Sequence, residues 1–187
     1  PTSLRISINK DWKSRWFKVR NYPEFLKEDV EIRKFLDKKL KNMSVDGVEI
    51  ERSPDVLAIT VRTARPGLII GRGGTGIEDL KAELIKLIKR KTALRLDVQE
   101  FKNPEASARI VAEQMAEQIE KRIPYRRVLK QSLARIMSNR DVKGAKVTLG
   151  GRLDGNDIAR TEHLEQGSLP LQTLRADIDF TRATAHT

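Results

Sequence analysis

The sequence predicts a two-domain α+β protein, and three observations carry that prediction. Across residues 29–102 the apolar spacing follows the order helix, strand, strand, short helix, glycine turn, helix, strand. Asn103-Pro104 breaks the run, and beyond it two helical stretches lead into strands separated by glycines. A chain of 187 residues divides readily into two small domains with modest cores. The expected layout is a basic and aromatic arm over residues 1–28, one α+β domain over 29–102 and a second over 103–187. In the second, two helices are expected to pack on a mainly antiparallel sheet.

Lysine and arginine outnumber aspartate and glutamate by 37 to 26, giving a net charge of +11 and a pI near 10.0. That balance favours phosphate-bearing partners over acidic small molecules. A basic chain can also lie on a membrane surface. No apolar run approaches the roughly 18 residues of a spanning helix, no signal-peptide pattern opens the chain, and no membrane partner is expected. The absence of cysteine removes disulfide and thiolate chemistry and permits a cytoplasmic compartment.

In the arm, Arg5, Lys10, Lys13, Arg15, Lys18 and Arg20 interleave with Trp12, Trp16, Phe17, Tyr22 and Phe25. Two readings stay open. The basic groups can neutralise phosphates while the rings stack on unpaired bases, or the rings can pin the arm to the domain that follows. Asp29 is a good N-cap, and from it to Lys41 the residues Ile32, Phe35, Leu36, Leu40 and Met43 form one helical stripe. Val45–Arg52 and Asp55–Thr63 alternate as strands, with Leu57, Ile59 and Val61 on one face and Ser53-Pro54 turning between them. Arg65–Ile70 suits a short helix opened near proline. A helix from Ile77 to Lys91 turns Ile77, Leu80, Leu84, Leu87 and Ile88 inward. Glu78 and Asp79 at its start and Lys89, Arg90 and Lys91 at its end suit the helix dipole. Ala93–Phe101 alternates as a closing strand.

Between the two helices lies Gly71-Arg72-Gly73-Gly74-Thr75-Gly76. Its glycines admit unusual main-chain conformations and close approach of a ligand to bare N–H groups, while the next helix points its N-terminal dipole at the same place. An anion suits the site. Read as Gly71-x-Gly73-x-x-Gly76, the turn matches a dinucleotide fingerprint, which must follow a full parallel strand and precede an acidic residue by about 20 positions. Pro66-Gly67 leaves too short a run for that strand, and the preceding hairpin fits such a unit poorly. Read as Gly71-Arg72-Gly73-Gly74, the turn is the GXXG loop of a KH domain, which clamps about four nucleotides of backbone. The element order resembles the type II KH domain, with the loop where that family has it. A plain connecting turn without a ligand ranks between the two.

In the second domain, Glu105–Arg122 reads as a helix that buries Ala108, Val111, Ala112, Met115 and Ile119. Residues 121–140 then hold Lys121, Arg122, Arg126, Arg127, Lys130, Arg135 and Arg140 with no carboxylate. Arg126, Arg127 and Lys130 share an arc of about 100° beside an apolar stripe of Leu129, Leu133, Ile136 and Met137. Such a run is usually a solvated face, but nothing local offsets its repulsion and a polyanion would. Strands are expected at Ala145–Leu149, Ile158–Leu164 and Leu174–Phe180, with Gly150, Gly151 and Gly155 in the turns.

The segments Gly151-Arg152-Leu153-Asp154-Gly155, Ile158-Ala159-Arg160-Thr161-Glu162 and Leu169-Pro170-Leu171-Gln172-Thr173-Leu174-Arg175-Ala176-Asp177-Ile178-Asp179-Phe180 resemble the C-terminal domain of the third small-subunit ribosomal protein family, in a bacterial or organellar form. With the KH region, the resemblance spans nearly the whole chain. It implies a structural protein of the small-subunit head, bound to ribosomal RNA, near the tenth and fourteenth small-subunit proteins. It also implies a place on the channel by which messenger RNA enters, where basic residues of the second-domain helix help unwind structure; Arg126, Arg127 and Lys130 occupy the matching positions. Gly71, Arg72, Gly73 and Gly74 match the family loop, with Arg72 where lysine is common. Further RNA contacts are expected from Arg152, Arg160, Arg175, Lys13 and Arg15. Asp154 stands where the family usually has glycine, and Phe180 where it often has tyrosine. Family members begin earlier and continue past Ala185-His186-Thr187 into another strand, so the chain is expected to be a portion of a longer protein. A free KH-type single-stranded RNA-binding factor is the alternative.

No catalytic site, cofactor or metal is expected. His163 and His186 lack partners at metal-ligand spacing. Asp154, Asp157, Asp177 and Asp179 could be imagined as a magnesium nuclease site, but such residues near turns more often pair with arginines, here Arg152, Arg160 or Arg175.

Overall fold

The protein is described by a computed structural model that covers residues 1–17, 21–88 and 93–186. Its contacts separate it into two units: Asp11–Lys102, and Pro1–Lys10 together with Asn103–Thr187. The expected arm over residues 1–28 is therefore not one segment. Residues 1–10 belong with the second unit and the remainder with the first. Lys18, Arg20, Lys89, Arg90 and Lys91 lie outside the described residues.

The first unit runs β1 (Ser14–Trp16), α1 (Tyr22–Lys39), β2 (Val45–Arg52), β3 (Val56–Thr63), α2 (Pro66–Ile70), α3 (Thr75–Leu87) and β4 (Ala93–Glu100). Strands follow the order β1-β2-β3-β4, with β2 and β3 antiparallel as the hairpin pattern requires. β3 and β4 are parallel, from Val56 opposite Ala93 to Thr63 opposite Glu100. A parallel pair needs a crossover, and α2, the glycine turn and α3 supply it. Alternation puts Leu57, Ile59 and Val61 on the buried face, where they meet Ile32, Leu36 and Leu40 of the helical stripe and Leu84 of α3.

Two expectations fail at the start of this unit. The helix begins at Tyr22, with Pro23 in its first turn, so Asp29 is an interior residue and not an N-cap. The three-residue strand β1, parallel to β2, carries no period long enough to read. Both features serve one buried cluster. Asp29 is 2% exposed and accepts hydrogen bonds from Trp16 Nε1 at 2.9 Å and from Arg52 Nε and Nη2 at 2.8 and 2.6 Å. Arg52 also donates to Glu28 at 2.8 Å and lies 5.0 Å over the Phe25 ring. Trp16 meets Tyr22 edge-on at 5.2 Å. For Trp16 and Phe25 the pinning reading is the one observed; Tyr22 meets Trp16 but stays exposed, as do Trp12 and Phe17.

The second unit contains α4 (Ala108–Glu120), α5 (Tyr125–Met137), β5 (Gly144–Gly151) and β6 (Arg160–Gly167). A short 3-10 turn over Pro104–Ala106 precedes α4, and Ser107 caps that helix by accepting from Ile110 N. β5 and β6 form an antiparallel pair. Val128, Leu129 and Leu133 of α5 pack with Val147 of β5 and with Val111 and Met115 of α4.

The third expected strand, Leu174–Phe180, does not form. Its carbonyls are taken by side chains instead of a ladder. Arg5, 1% exposed, donates to the carbonyls of Leu171, Thr173 and Ala176 at about 3.0 Å each, and to Pro1 at 2.6 Å. Asn9 Nδ2 donates to the carbonyl of Arg175 at 2.6 Å. Ile178 is buried all the same, so alternation here marks burial without a sheet.

Asp29→Ala removes three of the four hydrogen bonds named in this cluster and leaves the Arg52 guanidinium buried with Glu28. It is expected to destabilise the first unit by about 3 kcal/mol. Asp29→Asn, which keeps an acceptor for Trp16, should cost less. Chemical denaturation followed by tryptophan fluorescence measures both.

Candidate nucleic-acid interface

In the first unit, the turn after α2 is shaped by its glycines in two different ways. Gly76 is needed for space: a Cβ there would stand 2.6 Å from the Ile69 carbonyl, so only hydrogen lets α3 start against the end of α2. Gly73 and Gly74 are needed for conformation, at φ of +63° and +86°, and a Cβ on either would meet nothing within 4 Å. The tip of the turn is open on the outside, where a ligand backbone would approach. No side chain caps α3, and Thr75 Oγ1 donates to the Arg72 carbonyl at 3.1 Å. The Thr75 N–H donates to the Arg72 carbonyl, and the positive end of the dipole of this 13-residue helix faces the turn that carries an exposed Arg72, which makes no ion pair among the described residues.

In the second unit, the basic residues sit at the opening of α5. Pro124 precedes the helix, and its buried side carries Tyr125, Val128, Leu129, Ser132 and Leu133. Helical geometry then sends Arg126 and Lys130, one turn apart, and the adjacent Arg127 outward. All three are exposed, with Arg126 and Lys130 edging a hollow of about 210 Å³ floored by Leu129 and Leu164 and closed by Glu162 and His163. The first turn holds no acidic residue. Cations in the first turn of a helix oppose its dipole, as Arg126 and Arg127 do here. Arg127 and Lys130 have no ion pair among the described residues.

Arg126 differs from them. Its Nε donates to the Tyr125 hydroxyl at 3.0 Å and stands 3.9 Å from Glu162 Oε2. The hydrogen bond to the Tyr125 hydroxyl, followed by electrostatic attraction to Tyr125 and Glu162, raises the guanidinium pKa above its usual value. Strand alternation puts Arg160, Glu162 and Leu164 of β6 on one face, and Arg160 Nη2 also donates to the Tyr125 hydroxyl, at 2.9 Å. Helical spacing singled out Arg126, and Arg160 was expected as an RNA contact, but the roles of Tyr125 and Glu162 between them were missed. The shared face of Arg160 and Glu162 was the available signal.

The remaining basic residues are scattered. Arg152 is engaged within its own turn, with the Asn156 carbonyl at 3.0 Å and Asp157 at 3.1 Å. Arg15 pairs with Asp11 and Glu51. Lys13 and Arg175 are exposed and make no ion pair among the described residues. Among the imagined nuclease carboxylates, Asp177 pairs with Lys10 at 2.8 Å, Asp157 with Arg152, and Asp179 accepts from Ala108 N at 3.0 Å. Lys10 in place of an arginine is a departure from the expected pairing. Asp154 occupies left-handed backbone at φ +57°, a conformation aspartate tolerates better than most residues.

A glycine turn between two helices, set in a crossover between parallel strands and followed by a second α+β unit, defines a KH-domain protein of the RNA-binding class. Residues 31–106 match the KH domain family, and residues 115–187 match the family described as ribosomal protein S3, C-terminal domain. Small ribosomal subunit protein uS3 of Exiguobacterium sibiricum is 48% identical over 187 residues, which cover 100% of this chain and 85% of that protein. The proteins of the same name from Caldicellulosiruptor saccharolyticus and Clostridium novyi are 46% and 45% identical, each over 100% of this chain and 84% of the relative. The chain belongs to the uS3 family of small ribosomal subunit proteins, in its bacterial form; this is a structural family and not one of enzymes.

Gly76→Ala is expected to destabilise the first unit by about 1–3 kcal/mol, through the clash with the Ile69 carbonyl. Gly73→Ala, which meets open space, should cost only its backbone strain, about 1–2 kcal/mol. The two denaturation midpoints, compared with that of the unsubstituted chain, give the order.

Proposed function

We propose that this protein is a structural constituent of the small ribosomal subunit head in the bacterial cytoplasm. In this reading it binds ribosomal RNA through both units and contributes Arg126, Arg127 and Lys130 to the channel by which messenger RNA enters. The observation that carries the reading is the opening of α5. Three exposed cations stand there, two of them in the first turn against the helix dipole, with no acidic residue in that turn. The free protein bears that cost, and phosphates relieve it. In the first unit, Gly71, Arg72, Gly73 and Gly74 present an open turn of backbone and one guanidinium to RNA, with Lys13, Arg15, Arg152, Arg160 and Arg175 as further contacts. Of these, Lys13 and Arg175 are the better candidates, since Arg15 and Arg152 are already paired with carboxylates. The tenth and fourteenth small-subunit proteins are the proposed protein neighbours.

Sedimentation of lysate after a high-salt wash tests the assignment to the ribosome. Stoichiometric retention with the small subunit is expected; release into the light fractions would favour a free single-stranded RNA-binding factor. For the loop, Arg72→Asp with Gly73→Asp in the full chain should weaken binding to single-stranded RNA, and unchanged affinity would mark the loop as structural. For the channel, Arg126, Arg127 and Lys130 changed together to Ala should leave assembly intact and slow translation of structured messenger. The salt dependence of single-strand binding, plotted log against log, should become shallower by about 2 for three lost phosphate contacts. Equal slowing on unstructured messenger would contradict the channel role.

A further inference from the structure

The three cations at the start of α5 are not equivalent, and the difference lies in a side chain that carries no charge. Tyr125 is 5% exposed, its ring packed in the core of the second unit. A phenol oxygen offers one donor and two acceptor positions, and here all three are used. The hydroxyl donates to Glu162 Oε1 at 2.9 Å and accepts from Arg126 Nε at 3.0 Å and from Arg160 Nη2 at 2.9 Å. Both guanidiniums also lie over the ring, 5.6 and 5.8 Å from its centre. Glu162 fixes the direction of the hydroxyl proton, which leaves the lone pairs for the two arginines.

The atom of Arg126 that is held decides what the residue can do. The bond is made through Nε, on the inner edge of the guanidinium. Neither terminal nitrogen has a hydrogen bond among the described residues, and the side chain remains 72% exposed. The group is tethered behind and free in front, where its two terminal nitrogens can meet two phosphate oxygens together. Arg127 and Lys130 have no such tether, so each must lose its rotamer freedom when it binds.

We infer that Tyr125 is a positioning residue, which through its hydroxyl orients Arg126 as a preformed fork for a backbone phosphate of the incoming messenger RNA. The inference rests on the channel reading of Arg126, Arg127 and Lys130, and goes beyond it by dividing those residues into one aimed cation and two free ones. Aiming matters most where strands must be separated, because the phosphate has to be caught in one geometry while a base pair is open. On unstructured messenger the chain can wait for any orientation.

Tyr125→Phe keeps the ring and the net charge and removes only the shared oxygen. Small subunits carrying Tyr125→Phe, Arg126→Lys or both would be compared with unsubstituted subunits for the rate of translation through a stable hairpin and through an unstructured messenger. Tyr125→Phe is expected to slow the hairpin by about two- to ten-fold, the cost of ordering one long side chain, with the unstructured messenger unchanged. A lysine at position 126 has no Nε edge to hold, so the double variant should be no slower than Arg126→Lys alone. Equal slowing by Tyr125→Phe in both backgrounds, or slowing on the unstructured messenger too, would show that the hydroxyl acts on the fold and overturn the inference. A Tyr125→Phe subunit as fast as the unsubstituted one, beside a slow Arg126→Lys, would overturn it and leave the channel reading standing. Full speed in Arg126→Lys and in the triple alanine variant would remove the channel reading and this inference together.

Discussion

The approach of Gly76 to the carbonyls of Ile69 and Ile70 is the contact on which the first unit depends. Strands β3 and β4 are parallel, so the chain must leave one end of the sheet and return to the other within residues 64–92. It does so with two helices joined almost without a linker. That economy needs the start of α3 to press on the end of α2, with a separation that no Cβ would allow. Once α3 is fixed there, Leu84 reaches the core, and Gly71, Arg72 and Gly73 stand exposed in the turn. The same constraint therefore closes the sheet and presents the loop.

A second theme is where the arginines go. A net charge of +11 suggests a uniformly basic surface, yet several guanidiniums are internal structural parts. Arg5 gathers four backbone carbonyls, Arg52 sits between Asp29 and Glu28, and Arg33 joins β1 to β2 through Val48 O at 2.6 Å and Lys13 O at 2.8 Å. A planar group with five donors can organise several acceptors at once, which lysine cannot do. The charge left for RNA is the remainder, and the opening of α5, with Arg126, Arg127 and Lys130 exposed, is part of it.

At that opening the helix is held by packing and not by local preference. Arg126 and Arg127 in its first turn oppose its dipole, and no side chain caps it. Val128, Leu129 and Leu133, all nearly inaccessible, bind it to the β5–β6 pair. A rigid apolar face is what allows an unfavourable polar face to persist, and the Tyr125 hydroxyl continues that rigidity one residue into the charged side.

The sequence alone determined the order of the elements from α1 to β6, the buried faces of α1, β3 and α5, the glycine turn and the basic opening of α5. Each of these is a local pattern repeated over enough residues to be read: a period of two or of 3.6, or glycines where no other residue serves. Tertiary structure decided what depends on a distant partner. Asp29 looked like a helix cap because aspartate favours that place; instead the buried Arg52 draws it into the helix interior. Leu174–Phe180 alternates like a strand, but Arg5 and Asn9 occupy the carbonyls that a ladder would need. Residues 1–28 read as one arm because they are uniformly basic and aromatic, while their contacts divide them after Lys10. Tyr125 and Glu162 were silent for the same reason. Their role lies in three hydrogen bonds to one oxygen, brought together from a helix and a strand that the sequence keeps 35 residues apart.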